Sequence, residues 1–214
     1  MKIKVTLVAI ALLLSGCSST SSLDVLRDTS PPKDIDNVCS ILGEKPSWNN
    51  DLNAVKKKYG VPAHVILAMM HQESRFVHDA RPLAKGLKGI FDTPFASSAY
   101  GYSQALEMTW AHYMRATGRS GAKRDRFEDA VDFMGWYINE SNENLKLSKW
   151  DAEVQYLAYH EGHGGYKKRT YRKKPWLVKT AKRVKNRSDM YWEQFQKCGM
   201  FFSEDKNWFA RYFL

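Results

Sequence analysis

Apolar residues along the chain recur mostly at helical spacing, and the alternation of a half-buried β-strand is almost absent. The pattern therefore predicts a mostly α fold. Glycines and prolines mark several helix ends and starts. The expected helices are Asn50–Tyr59, a helix from Pro62 through Glu73, Ser103–Thr117, Arg126–Asn142, one from the capping segment Ser148–Asp151 to about Glu161, and Pro175–Gln196.

The helix that begins at Pro62 carries an acidic residue on its apolar face. Glu73 is the next position of an i, i+3, i+4, i+7 stripe made of Ala63, Ile66, Leu67 and Met70. Burial disfavours an ionised carboxylate and raises its pKa, which suits a general acid near neutral pH. Two interpretations stay open: Glu73 is a buried acid, or the helix frays near Gln72 and Glu73 is an ordinary surface residue.

The N-terminus has the pattern of an export signal. Lys2 and Lys4 precede an apolar run, Val5–Leu14, which is too short to span a bilayer permanently. The Leu14–Cys17 segment that follows resembles a bacterial lipobox, in which the cysteine becomes the lipidated first residue of the mature protein. A secreted protein with a chance cysteine is the alternative.

These features predict a signal peptide over residues 1–16, followed by the lipidated Cys17 and a flexible tether over residues 17–36. Ser18, the residue after the cysteine, favours the outer membrane by resemblance to lipoprotein sorting. The expected location is the cell envelope, on the periplasmic face of the outer membrane. Residues 37–214 are long enough for one helical domain with its own core.

Net charge restricts the classes of binding partner, and the cysteine content predicts a disulfide. The formal net charge is +10, and it stays positive without the signal peptide. An exported basic protein is expected to meet an anionic wall polymer or lipid headgroups, and no nucleic acid. Lipidation of Cys17 leaves Cys39 and Cys198, which are expected to form a disulfide in an oxidising compartment. Two separately buried thiols are the alternative.

Three short stretches, Glu73–Phe76, Ala99–Gln104 and Leu157–Gly162, follow one another in an order that resembles the soluble-lytic-transglycosylase (SLT) family. That family has a lysozyme-like helical fold and cleaves peptidoglycan, with Glu-Ser, Gly-x-x-Gln and Ala-Tyr-Asn-x-Gly motifs around its active site. This chain has His160 in place of the motif asparagine. It also offers Trp176 where the family has a tyrosine at the start of the last helix.

The resemblance implies a role for each matching residue. Glu73 is the single catalytic acid and base, because the substrate's own N-acetyl group replaces a second carboxylate and a 1,6-anhydro product forms without water. Ser74 and Gln104 orient the sugar, and Tyr159 positions Glu73. Aromatic faces stack on sugar rings, so two tyrosines and a loop are expected to wall the groove: Tyr100, Tyr102 and the Arg81–Ala99 loop.

The sequence predicts no cofactor and no metal site. His160 and His163 lie three residues apart beside glycines, whereas a zinc-protease helix needs histidines four apart. Two rival functions remain. A goose-type hydrolytic muramidase would need a second carboxylate, with Asp92 as the best candidate and Asp79 and Glu107 as others. A non-catalytic glycan-binding envelope lipoprotein is the other rival, and it is favoured by the altered third motif.

Overall fold

The computed structural model describes residues 29–82 and 97–198. Within them the chain is mostly helical and has no strand beyond an isolated bridge between Tyr100 and Ala105, which confirms the predicted fold class. None of these helices is long and apolar enough to cross a membrane. The helices are α1 Val38–Glu44, α2 Pro46–Tyr59, α3 Ala63–Ser74, α4 Glu107–Thr117, α5 Phe127–Leu145, α6 Ala152–Lys167 and α7 Pro175–Cys198.

Several helix ends agree with the sequence and two starts do not. Gly60 and Gly118 close α2 and α4 in the left-handed conformation, as expected for glycine at a helix end. Helix α4 begins at Glu107 instead of Ser103, because Gln104 has a φ of 51° that no α-helix accepts. Helix α2 starts earlier than predicted, with Pro46 in its first turn.

Helix α3 lies at the centre of the domain. Every residue from Val61 through His71 is buried, so the helix is covered on all sides. It packs against α2, α5, α6 and α7. Its C-terminal end reaches the surface, and this end carries Glu73. The sequence indicated one buried face, whereas the structure buries the whole helix up to its last turn.

Helices α2 and α5 approach closely at Gly135. A Cβ atom there would lie 2.3 Å from Cγ1 of Val55, so only glycine allows this distance. Next to this contact Asp132 is buried, and its carboxylate accepts a hydrogen bond from the phenol of Tyr113 at 2.6 Å and pairs with Lys58 at 2.9 Å. A buried carboxylate with these partners is satisfied, which gives Asp132 a structural role.

A disulfide joins Cys39 in α1 to Cys198 at the end of α7, with their Cα atoms 6.0 Å apart. Gln194 reinforces this junction, because it accepts from the backbone N–H of Val38 at 2.8 Å and donates to the carbonyl of Asp36 at 3.0 Å. The start of the helical body is therefore fixed on α7. Residues 1–28, which include the predicted signal peptide and Cys17, lie outside the described ranges.

Candidate active site

Glu73 lies in the last turn of α3, which continues through Ser74 without fraying. Directly after it, Arg75 and Phe76 both adopt left-handed backbone conformations, with φ values of 53° and 63°. The ring of Phe76 is fully buried and packs on Trp48 at 5.9 Å. The chain therefore reverses directly after the helix, and Glu73 is half-buried at the helix end.

Burial and one phenol set the pKa of Glu73. Burial raises the pKa of its carboxyl group to about 7, and a hydrogen bond with Tyr156 opposes that rise. No charged group of residues 29–82 and 97–198 contributes to this pKa. Near neutral pH the carboxyl group is thus present in both protonation states, which suits an acid that must later act as a base.

Tyr156 and Tyr159 lie one turn apart on α6 and have different partners. Tyr156 contacts Glu73, whereas the phenol of Tyr159 donates to the backbone carbonyl of Ser103 at 2.6 Å. Burial and the nearby Glu73 raise the pKa values of both phenols. The sequence singled out Tyr159 and missed Tyr156, although the i, i+3 spacing places both on one face of the helix.

The Gly-x-x-Gln stretch forms a tight turn before α4. Gly101 has a φ of 74°, and a Cβ atom there would lie 2.1 Å from the carbonyl oxygen of Arg124. Gln104 uses its amide nitrogen to donate to the carbonyls of Ala80 and Gly101, both at 2.8 Å. That nitrogen is occupied by the turn itself, so the amide oxygen is the group of Gln104 that remains for a ligand.

Two predicted contact residues are held mainly by the protein. Ser74 is buried, and its hydroxyl donates to the carbonyl of Met70 at 3.4 Å. Tyr102 is 3% exposed, with its ring edge-on to Trp48 and Phe127. Tyr102 also borders a cavity of about 560 Å³ whose lining does not include Glu73. So small an exposed surface favours a packing role for Tyr102 over that of a groove wall.

Tyr100 is half-buried and electrostatically fixed. Its phenol donates to Asp125 at 3.2 Å, and the guanidinium groups of Arg81 and Arg124 lie 4.3 Å and 5.2 Å from its ring centre. Of the loop Arg81–Ala99, residues 83–96 lie outside the described ranges, and Asp92 is among them.

His160 and Trp176 contact each other. Their rings meet edge to face at 5.2 Å, and His160 lies 6.4 Å from the ring of Tyr156. Trp176 is 58% exposed at the start of α7. His160 and Trp176, which both depart from the family pattern, therefore form one aromatic pair, which is linked to Glu73 through Tyr156.

Glu161 has a buried carboxylate near the candidate site, and sequence reasoning did not single it out. Burial alone would raise its pKa, yet hydrogen bonds from Lys174, Thr170 and His160 lower the pKa to about 2. Its side chain is 3% exposed, and the Lys174 ammonium lies 2.7 Å from it. Glu161 stays ionised and ties the end of α6 to the segment before α7, so its role is structural.

Asp79 and Glu107, the two acidic candidates in the described ranges, do not shift the pKa of Glu73. Asp79 is exposed and lies 3.7 Å from His78, and Glu107 is exposed at the start of α4. In the described ranges no cluster of histidine, cysteine and acidic residues is suited to a metal ion. His163 instead pairs its Nε2 with the hydroxyl of Ser141 at 2.9 Å.

A comparison with known protein families identifies the family of this chain. The family model described as "Transglycosylase SLT domain" matches residues 5–198, which is most of the chain. The chain therefore belongs to the transglycosylase SLT family, whose domain is lysozyme-like and whose activity is directed at peptidoglycan. No curated protein and no solved structure matches the chain.

Proposed function

We propose that this protein is a lytic transglycosylase that cleaves the β-1,4 bond between N-acetylmuramic acid and N-acetylglucosamine without water. The observation that carries the proposal is Glu73, a half-buried carboxyl group at a helix end with a pKa of about 7. Most glycosidases need two carboxylates unless the substrate supplies the second group. With Glu73 as the single catalytic carboxyl group, we assign the role of the second group to the N-acetyl group of the substrate.

In the first step, protonated Glu73 gives its proton to the glycosidic oxygen. The bond from that oxygen to C1 of N-acetylmuramic acid breaks, and the carbonyl oxygen of the N-acetyl group attacks C1. The leaving sugar departs with a free hydroxyl group. Because burial raises its pKa, a large share of Glu73 is still protonated at a pH where an exposed glutamate would have lost its proton.

In the second step, ionised Glu73 takes the proton of the C6 hydroxyl group. The C6 oxygen attacks C1, the N-acetyl group is released, and a 1,6-anhydro ring closes. Glu73 returns to its protonated form, so the cycle is complete without water. We assign the amide oxygen of Gln104 and the hydroxyl of Ser74 to orienting the sugar, and Tyr159 to holding the Ser103 turn against α6.

The direct test digests purified peptidoglycan with the full chain and with the Glu73→Gln variant, which keeps shape but cannot transfer a proton. We expect the natural chain to release muropeptides lighter by one water than reducing muropeptides, and the variant to release none. Reducing ends would instead identify a muramidase. Products from the variant equal to those of the natural chain would remove Glu73 from the chemistry.

We also propose that the protein is anchored by a lipid on Cys17 and faces the periplasm. The lipobox-like segment and the apolar run before it support this location. In cells, the natural chain should sediment with membranes, and Cys17→Ala should move it to the soluble fraction or block its maturation. Equal membrane association of the two chains would contradict the anchor.

A further inference from the structure

The connection between α6 and α7 forms a cavity of about 390 Å³ with the C-terminal end of α5. We call it the cationic pocket. Its character comes from three basic and two aromatic residues, Lys167, Arg169, Arg172, Tyr166 and Tyr171. A cavity of this volume falls in the range of small-ligand sites in proteins, about 300–1,000 Å³.

The three cations of the pocket have no acidic partner in the described part of the chain. Glu161, the buried carboxylate of this connection, is already occupied by Lys174 and Thr170. Like charges that share a cavity repel one another, so an anion that enters the cavity is attracted by all three. The two arginines add planar donor groups that match a carboxylate in two-point contact.

The backbone of the cationic pocket is fixed. Residues Thr170–Lys173 form a short 3-10 helix, and the hydroxyl of Thr170 in it donates a hydrogen bond to Glu161. Arg169 has a φ of 58°, and its N–H donates to the carbonyl of Tyr166 at 2.8 Å. The rings of Tyr166 and Tyr171 stack at 5.3 Å. The left-handed Arg169 and the stacked rings thus fix the backbone that carries the basic side chains. A fixed backbone lowers the entropic cost of binding a ligand.

The pocket is also connected to the candidate active site. Glu161 accepts from His160 and Lys174 at Oε1 and from Thr170 at Oε2. His160 in turn pairs with the exposed Trp176. One buried carboxylate thus fixes both the aromatic pair near Glu73 and the turn that carries the cations. The turn that carries the cations is therefore held by the same carboxylate as the aromatic pair.

We propose that the cationic pocket binds the carboxylates of the peptide stems that peptidoglycan carries beside its glycan. This proposal rests on the proposed function for the choice of polymer. The two arginines and Lys167 bind the carboxylates of the stem. The faces of the two tyrosines pack on the peptide groups that lie between these carboxylates. Anionic lipids also carry negatively charged groups, their phosphates, which can bind the same cations. The experiment below therefore distinguishes stem carboxylates from lipid phosphates.

The test measures binding in a Glu73→Gln background, so that the polymer is not cut. Three proteins are compared: this variant alone, the variant with Lys167, Arg169 and Arg172 changed to glutamine, and a control with exposed Lys57, Arg115 and Lys182 changed instead. Each is sedimented with intact peptidoglycan, with glycan strands stripped of their peptides by an amidase, and with phosphatidylglycerol vesicles. Thermal unfolding verifies that all three are folded.

We expect the pocket variant to bind intact peptidoglycan about tenfold more weakly, as the loss of charge-assisted hydrogen bonds predicts. Its preference for intact over stripped glycan should disappear, while the control keeps that preference. Undiminished binding, an equal loss on stripped glycan, or a loss confined to vesicles would each overturn the proposal. Anhydro products formed by the natural chain from stripped glycan are scored separately, so failure of the pocket and failure of the proposed reaction are distinguishable.

Discussion

The phenol of Tyr156 lowers the pKa of the Glu73 carboxyl group, whereas the phenol of Tyr159, one turn further along α6, donates to the carbonyl of Ser103 at 2.6 Å. The two tyrosines of one helix face thus have separate tasks. Tyr156 acts on the proton of Glu73, and Tyr159 joins α6 to the turn that carries Gln104.

Changing Tyr156 to phenylalanine should raise the pKa of Glu73 further above 7. The phenol stabilises the ionised carboxylate, so its removal favours the protonated form. The limb of the pH–rate profile on which activity falls with rising pH should move to higher pH by about one unit. Tyr191→Phe is a matched control, because this buried phenol donates to the carbonyl of Ile35 and not to Glu73. An unchanged profile for Tyr156→Phe would contradict this relationship.

Glu73 should destabilise the fold at alkaline pH. Below its ordinary pKa of 4.5 Glu73 is neutral in both the folded and the unfolded chain, so its burial does not lower the free energy of unfolding through a charge. Between pH 4.5 and about 7 the unfolded chain loses the proton first, and stability falls. Glu73→Gln should therefore be more stable than the natural chain at pH 8, by up to about 3 kcal/mol, and equal to it at pH 4. Unfolding in denaturant at both pH values measures this, and a gain independent of pH would argue against it.

Trp176 should contribute to glycan binding. It is 58% exposed and is held edge-on by His160 near Tyr156, so its face is free to stack on a sugar ring. Trp176→Ala should raise KM for peptidoglycan about tenfold, which corresponds to about 1.4 kcal/mol, and Trp176→Phe should restore part of the loss. Trp150→Ala is the control, since Trp150 is also exposed but packs on Trp192 and His64. Similar losses for both alanine variants would speak against a specific role.

Gly101→Ala should disrupt the turn that presents Gln104. The new Cβ would collide with the carbonyl of Arg124, and a φ of 74° is itself unfavourable for alanine. We expect a loss of at least about 2 kcal/mol in the free energy of unfolding, together with loss of peptidoglycan cleavage. Gly164→Ala is the control, because a Cβ added there would meet no neighbouring group within 4 Å, and it should change stability by less than about 1 kcal/mol.

Removal of the disulfide should cost several kcal/mol. The bridge closes a loop with a sequence separation of 159 residues, for which the loop-entropy relation gives about 5 kcal/mol. The double variant Cys39→Ser, Cys198→Ser should unfold at a lower denaturant concentration than the oxidised natural chain. Reductant should lower the stability of the natural chain and leave the double variant unchanged. A natural chain insensitive to reductant would show that the bridge is not needed.

Local rules predicted those features of the fold that local chemistry decides. Gly60 and Gly118 end helices because a left-handed residue is needed there, and glycine adopts it without strain. The start of α4 was wrong because Gln104 takes its left-handed conformation from bonds to Ala80 and Gly101, and the 24-residue separation from Ala80 hides that contact from any local pattern.

The sequence predicted only part of the candidate site, because local patterns do not show contacts between residues far apart in the chain. The apolar stripe leading to Glu73 follows helical periodicity, so the position of the acid could be read from sequence. Its hydrogen-bond partner on α6 depends on how α3 and α6 pack, and resemblance pointed to Tyr159 instead of Tyr156. The structural role of Glu161 likewise depends on its hydrogen bonds from Thr170 and Lys174. These residues reach Glu161 only because the chain turns at Gly162.

The bridge between Cys39 and Cys198 makes the helical body a closed covalent ring. A single cut of the backbone between these two residues, for example in the exposed turn around Gly121, opens the ring but releases no fragment. The two pieces stay joined at α1 and α7, with Glu73 on one piece and Tyr156 on the other. A protease must therefore cut twice, or a reductant must act first, before the acid and its phenol can separate.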